Sequence, residues 1–178
     1  MKNREENIEN TFLKLLEERN IETIDVQTIV DALGIKRQTF YYHYKNIYDL
    51  ILSIMQKEEL EIKEETDYDK ILSTIIDKLY EKEFLFKEIL KSSANDIIQE
   101  FTFSYFYRSL LFYLNKFNLS IDAKKEVDRF LTNSITNQLL YYYSNGDYSK
   151  TELFKKMECL INEDIINYIV NNYKNLNN

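Results

Sequence analysis

Apolar residues recur at helical spacing along almost the whole chain. Ile8, Phe12, Leu15 and Leu16 fall at i, i+4, i+7 and i+8, one face of a helix. The period lapses around 19–23. Val26, Ile29, Val30 and Leu33 then mark a second, short helix, which Asp25 is placed to cap and Gly34 to end. A third helix covers roughly Arg37 to Tyr44. Asn46 can cap a fourth, with Asp49 three residues on and Leu50, Ile51, Ile54 and Met55 on its apolar side. Residues 58–69 carry seven acids and one lysine, and read as a solvated helix end and a boundary. Five further helices are expected, with cores at 69–81, 83–92, 95–117, 122–144 and 150–174. Ser149-Lys150-Thr151-Glu152 is a capping-box pattern that opens the last of them. The pattern predicts an all-α protein of about nine helices: a three-helix unit at 1–45, a connecting helix at 46–66 and a helical domain at 67–178.

Composition narrows the function classes. The 178 residues include no proline and two glycines, too few for the turns of an all-β fold or for a glycine-rich phosphate loop. The single cysteine, Cys159, excludes an internal disulfide and a multi-cysteine zinc site; beside Leu160 on an apolar face, it is expected to be a buried structural thiol. His43 is the one histidine, so no multi-histidine metal site is expected, and no cofactor. No nucleophile–histidine constellation singles out an enzyme, and carboxylate pairs occur without a context that would pick one. The charged start and the lack of an 18-residue apolar segment predict a cytoplasmic protein with no membrane partner.

The net charge of −7 argues at first against a nucleic-acid partner. Its distribution changes that. The first 46 residues hold seven basic and eight acidic residues, net −1, and the other 132 hold sixteen and twenty-two, net −6. From Gly34 to Asn46 there are three basic residues and no acid. This stretch is also the most informative one. A short helix, a glycine turn and a second short helix are the parts of a helix-turn-helix. The second helix needs long polar side chains early, to reach base edges in the major groove, and an apolar rear. Lys36, Arg37, Gln38 and Thr39 stand at the front, while Phe40 and Tyr44 share one face at i, i+4. Arginine can pair with guanine and glutamine with adenine. Thr39, Tyr41, Tyr42, His43 and Lys45 suit phosphate contacts, which set register without reading sequence.

Ile8 to Ile51 resembles the N-terminal domain of the TetR family of bacterial transcriptional regulators. The matching residues are Phe12 and Leu16, Val26-Gln27-Thr28-Ile29-Val30, Ala32-Leu33-Gly34-Ile35, Arg37-Gln38-Thr39-Phe40-Tyr41-Tyr42-His43-Tyr44, and Leu50. The resemblance implies a homodimer with two headpieces on a palindromic operator of double-stranded DNA. It implies Gln27, Arg37 and Gln38 as base readers, with Thr28, Thr39, Tyr41, Tyr42 and His43 supporting or contacting the backbone. One position departs: where members usually carry a phosphate-contacting lysine that can relay movement, this chain has Ile47, and Lys45 stands nearby. The C-terminal half resembles the family in length and helical character. More distantly, it looks like the C-terminal region of the branch related to regulators of dihydroxyacetone kinase operons.

Residues 101–117 carry aromatics on several faces, so this helix is expected to be largely buried. Phe103, Tyr105, Phe106, Tyr107, Phe112, Tyr113, Asn137 and Tyr141 are candidates to line a pocket for a small hydrophobic or aromatic ligand. Phe130, Leu131, Leu139, Ile161, Ile165 and Ile169 are candidate dimer contacts between the last two long helices and their twins. The expected function is a ligand-released repressor. The alternative is a regulator or co-activator controlled by a protein partner.

Overall fold

The computed structural model describes residues 2–58, 60 and 67–176. Among them are ten α-helices and no strand. The helices are α1 (Lys2–Glu18), α2 (Val26–Leu33), α3 (Arg37–His43), α4 (Ile47–Lys57), α5 (Tyr68–Glu81), α6 (Glu83–Leu90), α7 (Asn95–Tyr113), α8 (Ile121–Asn145), α9 (Lys150–Leu160) and α10 (Glu163–Leu176). Short 3-10 turns at Ile21–Thr23 and Leu114–Lys116 follow α1 and α7. The all-α class is as the apolar spacing predicts.

Local signals set most boundaries. Asp25 accepts the Thr28 amide at 2.7 Å and Asn46 accepts the Asp49 amide at 2.8 Å, each satisfying a helix-start donor. The Ser149–Glu152 capping box is formed. Gly34 has φ 65°, and the Ile35 amide behind it reaches the Val30 carbonyl at 3.0 Å. An added Cβ at Gly34 would meet nothing within 4 Å, so the left-handed backbone is what requires glycine here.

The expected last helix, 150–174, is two. Ile161 is extended, at φ −140° and ψ 106°, and the Asn162 side chain accepts the Ile165 amide at 3.0 Å to start α10. Apolar residues at Leu160, Ile161 and Ile165 carry the period across this break and hide it. The aromatic helix is also less buried than expected. Tyr105, Phe106 and Tyr113 are buried, but Phe101, Phe103, Tyr107, Phe112 and Phe117 are half-buried. Cys159 is exposed rather than buried, because Leu153 and Met157 are the residues of α9 that face the core. Of the acidic run 58–69, residues 59 and 61–66 lie outside the described residues, as does the end of the connecting helix expected at 46–66; α4 ends at Lys57 and Asp67 caps α5.

The chain forms two compact units. The first joins Met1–Glu59 to Phe84–Ile98, so α6 and the first turn of α7 pack with α1–α4 rather than with the C-terminal helices expected at 67–178. Phe12, Ile29, Phe40, Leu50, Phe86, Ile89 and Ile98 are its most deeply buried apolar side chains, each 0 % exposed. Polar ties fix the returning segment: the Ser93 amide donates to the Glu22 carboxylate at 2.6 Å, and the Tyr48 hydroxyl donates to Asp96 at 2.9 Å. The second unit holds Leu60–Glu83 and Gln99–Asn178. There α9 packs on α5 and α8, and α10 on α8. The buried Tyr143 hydroxyl ties α8 to α5 by donating to the Leu79 carbonyl at 2.7 Å.

Candidate nucleic-acid interface

Gly34 turns the chain between α2 and α3. Phe40, wholly buried, and Tyr44, nearly so, anchor the rear of α3. With Phe40 and the capping Tyr44 turned inward, most of the other side chains around this seven-residue helix face outward. Lys36, Arg37, Gln38, Tyr41, Tyr42 and Lys45 are exposed, Tyr42 at 69 %, and Thr39 is half-buried. On α2, Gln27 is exposed and donates through Nε2 to Asp31 at 2.7 Å. The Thr28 hydroxyl donates to Asp25 at 2.7 Å, so it serves the cap of α2. The Thr28 amide and then its hydroxyl hold the Asp25 carboxyl below its usual range, with Arg37 adding a smaller share.

His43 departs from the expected role. Its side chain is only 4 % exposed, and Nδ1 lies 3.2 Å from Glu5 of α1, so it ties α3 to α1 and has little surface to offer a phosphate. Next to it, Glu9 is a buried carboxylate with three donors: Tyr44 Oη at 2.8 Å, Ser53 Oγ at 3.3 Å and Lys57 Nζ at 2.5 Å. Three donors from the end of α3 and from α4 converge on one α1 side chain, which fixes α3 against its supports. Burial, then the hydrogen bond to Glu9, pushes the Tyr44 hydroxyl well above its usual pKa. Ile47 also has a place. With Ile21, Ile24, Ile51 and Ala94 it lines a small cavity of about 120 Å³ beside the Glu22–Ser93 tie.

The second unit gathers its candidate residues only in part. Phe103 and Tyr107 stack at 5.8 Å, and Tyr105 meets Phe106 edge-on at 5.7 Å. The Tyr105 hydroxyl donates to the Ile71 carbonyl at 3.1 Å, while Tyr113 reaches Glu163 at 3.4 Å. Phe112 is half-buried. Asn137 and Tyr141 do not join them: both are exposed on the outer face of α8, and Asn137 donates to the Asn133 carbonyl at 2.8 Å. The dimer candidates divide as well. Phe130 is 58 % exposed and Ile161, Ile165 and Ile169 are half-buried, but Leu131 and Leu139 are spent in the chain's own core at 1 % and 0 % exposure.

Sequence reasoning missed a polar set inside this unit. Tyr68 Oη, Thr102 Oγ1, Asp128 Oδ2 and Thr136 Oγ1 are buried without a hydrogen-bond partner among the described residues. Burial pushes the Asp128 carboxyl up to about 7, and the Thr132 hydroxyl at 3.2 Å offsets this only partly. The signal was present: Asp128, Thr132 and Thr136 sit at i, i+4 and i+8, where the core face of α8 calls for apolar residues. Among the described residues no group of acids, histidine and cysteine could hold a metal ion, and no helix is long and apolar enough to cross a membrane.

The fold has a solved counterpart. It is similar to the structure of the dihydroxyacetone kinase operon activator DhaS, with a TM-score of 0.63 and 19% identity over 88% of this chain and 92% of that one. No protein-family model and no curated protein matches the sequence. The likeness to DhaS extends over both compact units, so the helical arrangement C-terminal to the helix-turn-helix is shared along with it.

Proposed function

We propose that this chain is a DNA-binding transcriptional regulator. The observation that carries the reading is the α2–Gly34–α3 unit, whose Lys36, Arg37 and Gln38 stand exposed at the front of a short helix anchored from behind by Phe40 and Tyr44. On this reading Arg37 and Gln38, with Gln27, read base edges, while Thr39, Tyr41, Tyr42 and Lys45 hold the backbone. A homodimer places two such heads on a palindrome, with Phe130 and the half-buried Ile161, Ile165 and Ile169 as contacts. It acts in the cytoplasm and has no catalytic role. A small molecule in the C-terminal unit releases it from the operator by favouring one of two head spacings. The unpartnered Tyr68, Thr102, Asp128 and Thr136 support such a ligand, and they favour one that brings hydrogen-bonding groups as well as apolar surface.

The test is selection of bound duplexes from a random library by the full chain. Arg37→Ala should then cost about 1–3 kcal/mol against the selected site and relax one base position. Unchanged preference at every base would remove Arg37 from the readout.

A second reading is favoured by the likeness to DhaS, which is an operon activator. Here the chain activates, and a protein partner replaces the small molecule. A stoichiometric protein co-purifying with the chain favours this reading, and a co-purifying metabolite favours the first.

A further inference from the structure

Resting on the DNA-binding reading, we infer that Arg4, in the first turn of α1, is a backbone-phosphate contact at the flank of the recognition helix. A cleft of about 550 Å³ is lined by Arg4, Gln38, Thr39, Tyr42 and His43. It joins a residue far from the helix-turn-helix in sequence to the side chains that carry it. Arg4 is exposed, and its side chain makes no hydrogen bond or ion pair with a described residue. Helix stability does not explain it, because a cation in the first turn faces the positive end of the helix dipole and is disfavoured there.

The back of the cleft is tied to α1. Glu5, the residue after Arg4, pairs with His43 at 3.2 Å, and the His43 ring meets Tyr42 edge-on at 5.1 Å. The pair engages the acid nearest Arg4 in sequence and ties His43, the chain neighbour of Tyr42, to α1. His43 is therefore a positioning residue. A guanidinium and the Thr39 and Tyr42 hydroxyls around one cleft can each donate to an oxyanion, and a phosphodiester oxygen is the acceptor that lies beside a helix seated in the major groove. Gln38, on the same cleft, places that phosphate next to a base-reading position.

The experiment compares the wild-type full chain with Arg4→Gln and Arg4→Lys on a duplex selected by the wild type from a random library. Arg4→Gln should bind about tenfold more weakly, with a log-affinity against log-salt slope shallower by about 0.9 per head and an unchanged base preference. Arg4→Lys should restore most of the slope, and all three proteins should melt alike. Wild-type affinity and slope in Arg4→Gln would overturn the assignment while leaving the DNA reading intact. So would weaker binding at unchanged slope, or a changed base preference. A wild type that selects no duplex would overturn both.

Discussion

The two compact units treat their buried polar groups in opposite ways. In the unit built from 1–59 and 84–98, the buried Glu9 carboxylate takes three donors, and the buried Ser92 hydroxyl both donates to the Ile89 carbonyl and accepts the Ala94 amide. No buried side-chain polar atom among its described residues lacks a partner. In the other unit, Tyr68, Thr102, Asp128 and Thr136 each keep one unsatisfied atom in the core. A fully paired network specifies one geometry, whereas unpaired groups cost free energy until something supplies the missing bond. The first unit thus holds α3 in one geometry, and the second keeps interior groups whose bonds are unmade.

The comparison can be broken first at Phe40. Phe40→Ala removes a fully buried ring from behind α3 and should cost about 3–5 kcal/mol, read by denaturant unfolding. A much smaller loss would mean that α3 is not held from behind. Asp128 tests the other unit. Its carboxyl titrates in the folded state at about 7, above its unfolded value, so the folded state binds the proton more tightly. The Asp128 contribution to stability should therefore be greatest below the unfolded pKa and be lost, by a few kcal/mol at most, as pH rises through 7. Asp128→Asn should flatten that slope and raise the melting temperature above pH 7. The same pH dependence in wild type and Asp128→Asn between pH 4 and 7 would show that the carboxyl has a partner after all.

Tyr44→Phe removes one of the three donors to Glu9 while keeping the ring, and should cost roughly 2 kcal/mol. If it costs nothing, the paired network of the first unit is not what fixes α3. At the small end, Cys159→Ser should change stability by less than about 0.5 kcal/mol, since the thiol is exposed.

What could be read from the sequence was local. Asp25, Gly34, Asn46 and the Ser149–Glu152 box act within a few residues, and each sets the boundary its chemistry predicts. Arg37 and Gln38 are exposed because Phe40 and Tyr44 take the buried face, which is also a matter of local spacing. What was missed depends on partners distant in the chain. His43 turns inward because Glu5 waits 38 residues away, and Glu9 is buried because Tyr44, Ser53 and Lys57 surround it. Residues 84–98 join the first unit through Glu22 and Tyr48, 71 and 48 residues from their partners. The break at Asn162 was local, yet apolar residues on both sides masked it.

The first unit is discontinuous, and this matters while the chain is being made. The apolar faces of α1–α4 that receive Leu85, Phe86, Ile89, Ala94 and Ile97 are synthesised well before those residues exist. At about 5–20 residues per second, the interval between residue 59 and residue 98 is roughly 2–8 s. During it the nascent helix-turn-helix lacks part of its core, and a fragment stopped at residue 59 would carry that defect permanently.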